Sequence, residues 1–158
     1  MRAAVLTISD SAWQKLRTDA SGPAVEERCR AHGWQVVFSQ ILPDDRAEIE
    51  KHLIALADSE STDLVLTTGG TGLGPRDRTP EATVAVCEKL VPGLAELMRQ
   101  EGRKTNHRAV LSRAVAGVRG RTLIVNLPGS PRGATDALDS VAKLLQHAID
   151  VLYGARHD

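Results

Sequence analysis

The strongest chemical signal in the chain is the run Thr67-Thr68-Gly69-Gly70-Thr71-Gly72-Leu73-Gly74-Pro75-Arg76-Asp77-Arg78-Thr79-Pro80-Glu81. It places four glycines within six residues, at 69, 70, 72 and 74. Without a Cβ in the way, backbone N–H groups there can approach an anion closely. Thr79-Pro80-Glu81 then reads as a helix start, with a cap, a proline at the first helical position and an acid in the first turn. A helix N-terminus adds unpaired donors and the positive end of its dipole, so the combination suits a phosphate. It is not a Walker A loop, because GxxxxGK[ST] is absent and no lysine follows the glycines. Nor is it the dinucleotide fingerprint GxGxxG, because Gly70, Gly72 and Gly74 fall two apart. The bland alternative is a tight turn in which glycine only punctuates structure.

The elements around this loop follow from hydrophobic periodicity. Residues Ala3 to Ser9 read as a buried strand, followed by a loop from Asp10 to Ala20. Ser21 caps a helix that carries an early Pro23 and stops at Gly33. Trp34 to Leu42 reads as a second strand, after which Asp44 or Asp45 caps a helix with Ile49, Leu53, Leu56 and Ala57 on one face. Asp63 to Thr67 is a third strand leading into the glycine loop. Pro92 interrupts the helical pattern that starts at Thr79, and a further helix carries Leu94, Leu97 and Met98. Thr122 to Leu127 is the next strand, ending at Pro128-Gly129-Ser130-Pro131. The last helix sets Ala137, Val141, Leu144, Leu145, Ala148, Ile149 and Leu152 at helical spacing, as a core stripe.

This alternation predicts an α/β fold: three layers, with a mostly parallel sheet and helices on both faces, in a single domain over residues 1–158. In such sheets ligands sit outside the carboxyl ends of the strands. The three unusual loops, after Ser9, Thr67 and Leu127, all begin there. One composite site is the expectation.

Composition narrows the classes. Hydrophobic residues make up 42% and charged residues 25% of the 158, as in an ordinary globular protein. Twenty Lys+Arg balance twenty Asp+Glu, which argues against a general nucleic-acid or membrane surface. No apolar run reaches the roughly 18–20 residues of a membrane span, and the first apolar run looks like a strand rather than a secretory leader. A cytoplasmic location is expected. Cys29 and Cys87 sit in helix-like segments outside any CxxC or CxxH pattern. His32, His52, His107, His147 and His157 show no HxxxH spacing, and structural or surface roles are expected for them. From Arg99 to Arg132 eight basic residues face one acid, Glu101. This is either a solvated basic face or, beside phosphate loops, an anion-steering wall.

Taken together, TTGGTG and the following PRDRTPEAT resemble the signature of the molybdopterin-binding family, which includes Mog, MoaB and the G domains of gephyrin and plant Cnx. Asn126-Leu127-Pro128-Gly129-Ser130-Pro131 resembles the family's NLPGSP. Ser9-Asp10-Ser11, Asp19-x-Ser21-Gly22, Leu42-Pro43-Asp44 and Leu111-Ser112-Arg113 also match in order, from residue 5 to about 150.

The resemblance implies a MogA/MoaB-like fold, a homotrimer, and transfer of AMP from Mg-ATP onto molybdopterin with release of pyrophosphate. Such a reaction needs mainly positioning and charge neutralisation. Mg²⁺ takes one or two carboxylates plus phosphate oxygens. On the matching residues, Asp44 and Asp77 would be catalytic and would hold Mg²⁺. Gly69, Gly70, Thr71 and Gly72 would cradle a phosphate, and Thr68 and Ser112 would meet the pterin or its phosphate. Pro128, Gly129 and Ser130 would form a second wall near the adenosine. Against these roles, Asp44 could be only a helix cap, Asp77 could pair only with Arg76 or Arg78, and Arg113 could be a surface arginine rather than a charge stabiliser.

The match weakens at Lys104-Thr105-Asn106-His107-Arg108, where many relatives carry a proline. A non-catalytic, MoaB-like molybdopterin carrier would keep every binding motif, and the two carboxylates favour the enzyme. A dinucleotide-dependent oxidoreductase fails on its glycine spacing. Hand-off of the product to a separate molybdenum-inserting protein is expected, because the chain is too short to carry those extra domains.

Overall fold

The computed structural model describes residues 1–155, so His157 lies outside the described residues. In chain order the elements are β1 (Arg2–Ile8), α1 (Asp10–Trp13), α2 (Ser21–Ala31), β2 (Gln35–Leu42), α3 (Arg46–Asp58), β3 (Leu64–Thr68) and α4 (Thr79–Val86). There follow β4 (Lys89–Leu90), α5 (Pro92–Gly102), a 3₁₀ turn (His107–Leu111), β5 (Ala116–Arg119), β6 (Thr122–Leu127) and α6 (Pro131–Leu152).

Six strands form one sheet in the order β2-β1-β3-β6-β5-β4. The first four are parallel; β5 pairs antiparallel with β6, and β4 pairs antiparallel with β5 on the far edge. Every residue of β3 and β6 is buried, which explains the apolar runs Leu64-Val65-Leu66 and Leu123-Ile124-Val125: a strand covered on both faces has no solvent side to fill with polar residues. Alternate residues serve opposite layers. Ala3 and Val5 of β1 pack with α2, α5 and α6, through Val25, Leu94, Met98, Leu138 and Leu145. Ala4, Leu6 and Ile8 pack with Ile49 and Leu53 of α3 and Val86 of α4. Three layers with helices on both faces are therefore present.

Three elements were not legible beforehand. A single turn, α1, occupies the expected loop after β1, because the Ser9 hydroxyl accepts from the Ala12 amide and starts it. The β4 and β5 strands are too short and too glycine-interrupted to show a pattern, and β6 defines β5 by pairing with it through a turn at Gly120.

Two expected caps also differ. Ser21 does not cap α2; Asp19, two residues earlier, takes the Gly22 amide and the Thr7 hydroxyl. Thr79 does not cap α4, because its hydroxyl donates to the Gly69 carbonyl.

Pairing brings Thr7 opposite Thr68, and Thr68 opposite Leu127. The carboxyl ends of β1, β3 and β6 are thus level, and the three loops emerge side by side. Asn126 fixes this end. It is fully buried, donates to the hydroxyls of Thr67 and Thr83, and accepts from the Val115 amide. Among the described residues no helix is long and apolar enough to cross a membrane.

Candidate active site

The glycine loop is built by two residues with left-handed backbones, Gly69 at φ 103° and Gly70 at φ 66°. A Cβ on Gly69 would strike the Ile8 carbonyl, and one on Gly70 would strike the Thr79 hydroxyl. Hydrogen bonds stitch the loop to both flanks. The Gly69 amide donates to the Leu127 carbonyl at 3.2 Å, and the Thr79 amide donates to the Gly70 carbonyl at 3.2 Å. Thr68 is fully buried and donates its hydroxyl to the Pro128 carbonyl at 2.7 Å, so it braces the second loop against the first.

Asp45, not Asp44, caps α3, accepting from the Glu48 amide at 3.0 Å. Asp44 instead exchanges bonds with the loop after β1. Its Oδ2 accepts from the Asp10 amide at 2.8 Å, and the Asp44 amide donates to Asp10 Oδ1 at 2.9 Å. Its other oxygen faces the glycine loop, 3.2 Å from where a Cβ on Gly70 would sit. Asp77 nestles between Gly72 and Gly74 and accepts the Gly74 amide at 2.7 Å. Arg76 does not pair with Asp77; it grips Asp10 with two donors, at 3.0 and 3.1 Å. Burial pushes the Asp44 carboxyl above its ordinary range, and the negative charges of Asp10 and Asp77 push the same way. Asp44 and Asp77 line the same cavity, near enough for the Asp77 charge to be felt at Asp44.

Two cavities of about 420 Å³ each flank the loop. One is polar and holds Asp44, Asp77, Thr68, Gly69, Gly70, Gly129 and Ser130, with Asp19 and Ser21 at its far wall. The other is lined largely by Leu73, Ala95, Met98 and Leu111, and carries Thr71, Gly72, Ser112, Pro128 and again Ser130. All eleven residues singled out from the sequence therefore line one cavity or the other, and Ser130 lines both. Asp10 was missed as a partner of Asp44; Ser9-Asp10-Ser11, noted only as a motif, was its signal.

Most of the basic segment has local partners. Arg99 donates to the Ser112 and Ala114 carbonyls, and Arg113 to the Gly72 and Asp77 carbonyls. Arg119 pairs with Asp58, Lys104 with Glu101, and Arg132 with Asp136. Of the eight, Arg99 and Arg108 line the apolar cavity. Neither cysteine suits nucleophilic chemistry, because burial pushes the Cys29 thiol up to about 12 and the Cys87 thiol to about 11. Among the described residues no group of three or more His, Cys, Asp or Glu is placed to cage a metal ion.

Residues 4–147 match the family described as "Probable molybdopterin binding domain". The chain belongs to this molybdopterin-binding family. Its relatives include the molybdopterin adenylyltransferase of Helicobacter pylori strain 26695, 41% identical over 152 residues, covering 95% of this chain and 86% of that protein. The Drosophila melanogaster molybdenum cofactor synthesis protein cinnamon is 40% identical over 149 residues, covering 94% of this chain but 25% of that protein. Among solved structures, the molybdopterin biosynthesis enzyme MoaB from Thermus thermophilus superposes with a TM-score of 0.91 at 47% identity, covering 99% of both chains. The expected MogA/MoaB-like fold is therefore borne out for this family member.

Proposed function

We propose that this chain is a molybdopterin adenylyltransferase of molybdenum cofactor synthesis, acting as one domain over residues 1–158. The observation that carries the reading is the placement of Asp44 and Asp77 against a glycine loop that separates a polar cavity from an apolar one. The name of the Helicobacter relative, covered over most of its length, supports it.

ATP belongs in the polar cavity, its phosphates along Gly69 and Gly70 and its adenosine toward Asp19, Ser21, Gly129 and Ser130. The flat, ring-fused pterin suits the apolar cavity between Leu73, Met98 and Ser112. Its phosphate then meets the α-phosphate at the shared wall formed by Gly70, Thr71 and Gly72. A molybdopterin phosphate oxygen attacks the α-phosphorus. A P–O bond forms there as the bond to the bridging oxygen breaks, and that electron pair leaves on pyrophosphate. The loop's amides and the aligned cavities contribute by orientation.

The carboxylates fit Mg²⁺. Asp44 and Asp77 line the same polar cavity as Gly69 and Gly70. An ion there would draw its remaining ligands from phosphate and water, as magnesium does. Such an ion would be held by Asp44 and Asp77 and would neutralise triphosphate charge. Arg76 offsets Asp10, but Asp44 still feels the negative charges of Asp10 and Asp77, which a cation would relieve. A homotrimer, a cytoplasmic location and transfer of the product to a molybdenum-inserting protein complete the proposal.

The test incubates the purified chain with molybdopterin, Mg²⁺ and ATP and measures adenylylated pterin, with Asp44→Ala and Asp77→Ala alongside. Product from the parent chain and not from the variants is expected. Pterin binding without product under any nucleotide would overturn the transferase reading in favour of a carrier.

A further inference from the structure

Arg113 joins parts of the molecule that no motif connects. Its amide donates to the Thr71 carbonyl at 2.9 Å. Its side chain donates through Nε to the Gly72 carbonyl at 2.8 Å and through Nη2 to the Asp77 carbonyl at 2.9 Å. Nη1 donates to the Glu81 carboxylate in the first turn of α4. One residue therefore holds both ends of the 71–77 loop and the helix that follows it. Between those ends the loop's own bonds join only Gly74 and Asp77. Arg113 is in the lining of neither cavity. The carbonyls on either side of it, of Ser112 and Ala114, are both held by Arg99. The arginine that closes the loop is thus itself anchored to α5.

We propose that Arg113 is a positioning residue: it clamps the glycine loop shut and so sets where the Asp77 carboxylate points during adenylyl transfer. The catalytic half of this inference rests on Asp77 acting as assigned above. The geometry requires an arginine. Three acceptors lie in different directions around the head group, and only a planar fork with fixed N–H vectors serves them together. A lysine ammonium at the same place could keep Glu81 but would release at least one carbonyl. Releasing the Asp77 carbonyl frees the backbone that carries its carboxylate, and small displacements of a reacting group are costly in rate.

The experiment compares the parent chain with Arg113→Lys, Arg113→Gln and Asp77→Asn. Hydrogen exchange of the 72–78 amides is followed without substrates, and the urea midpoint checks that each variant is folded. Adenylylated product, its Mg²⁺ dependence and molybdopterin affinity are then measured. For Arg113→Lys the loop amides should exchange about tenfold faster, kcat should fall about tenfold or more, and more Mg²⁺ should be needed for half-saturation. Molybdopterin Kd should change less than about threefold, because Ala95, Met98 and Leu111 of the apolar cavity lie outside the loop. Asp77→Asn should lose product with loop exchange far less affected than in Arg113→Lys, because the amide oxygen can still accept from Gly74. Loop exchange equal to that of the parent in Arg113→Lys overturns the clamp, whether or not the chain is active. A loosened loop with parental kcat overturns its positioning role. A parent chain that makes no product overturns the transferase reading, and the exchange result still decides the clamp.

Discussion

Asp44 and Asp45 are neighbours with opposite roles. Asp45 satisfies a helix end, while Asp44 is left partly buried beside Asp10 and Asp77. A carboxyl whose folded-state pKa is raised weakens folding once it ionises, so at neutral pH the Asp44 charge costs stability in the absence of ligand. Asp44→Asn should therefore leave the urea midpoint unchanged or raise it, while adenylyl transfer falls on the order of 100-fold or more. A clearly lowered midpoint would mean that the Asp44 charge is structural. This division of labour was only half legible in the sequence. Either aspartate stood at a workable distance from α3, and the family motif pointed to Asp44 without saying why Asp45 was the cap. The capping expectations for Ser21 and Thr79 failed for a related reason. A hydroxyl at a helix start also has tertiary partners available, and Thr79 was claimed by the Gly69 carbonyl ten residues back.

The strands that carry the site were readable because β1, β3 and β6 are covered on both faces and so show unbroken apolar runs. The antiparallel edge was not, because β4 and β5 draw their regularity from neighbours; Gly117 is required where the Cys87 side chain presses against it. The glycine loop was legible, but its stitching was not, since its ties to Leu127, Pro128 and Arg113 join residues distant in sequence. Those bonds make position decisive. Gly69→Ala combines a left-handed φ with a backbone carbonyl in the path of its methyl group, and should cost about 2–3 kcal/mol and weaken ATP binding. Gly93→Ala, in the first turn of α5 with open space around it, should be neutral or stabilise by about 0.5 kcal/mol. Paired denaturation curves would check both. Equal effects from the two substitutions would mean that the loop tolerates rebuilding.

At the end of the sheet away from the cavities, Asp63 is 7% exposed and takes donors from the Arg2 amide, the Arg2 guanidinium and the Tyr153 hydroxyl. Burial alone would raise its pKa, but these donors and the Arg2 charge outweigh it and bring it down to about 2. An unfolded aspartate titrates at about 3.9, so this stabilisation is complete above about pH 4 and disappears as the pH falls toward 2. Asp63→Asn should cost about 2 kcal/mol at pH 7, and the difference from the parent should close in acid. Urea unfolding at pH 7 and pH 3 measures this; a gap that is constant with pH would refute it. None of this network was visible in the sequence, since its members are 61 and 90 residues apart. It has an architectural consequence. Residues 2 and 153 meet on one carboxylate, and β1 carries the chain roughly 20 Å from there to the loops. Both ends of the described domain therefore leave from the back of the sheet, like two leads from one side of a plug. Polypeptide spliced on at either lead would start from the side of the sheet opposite the three loops.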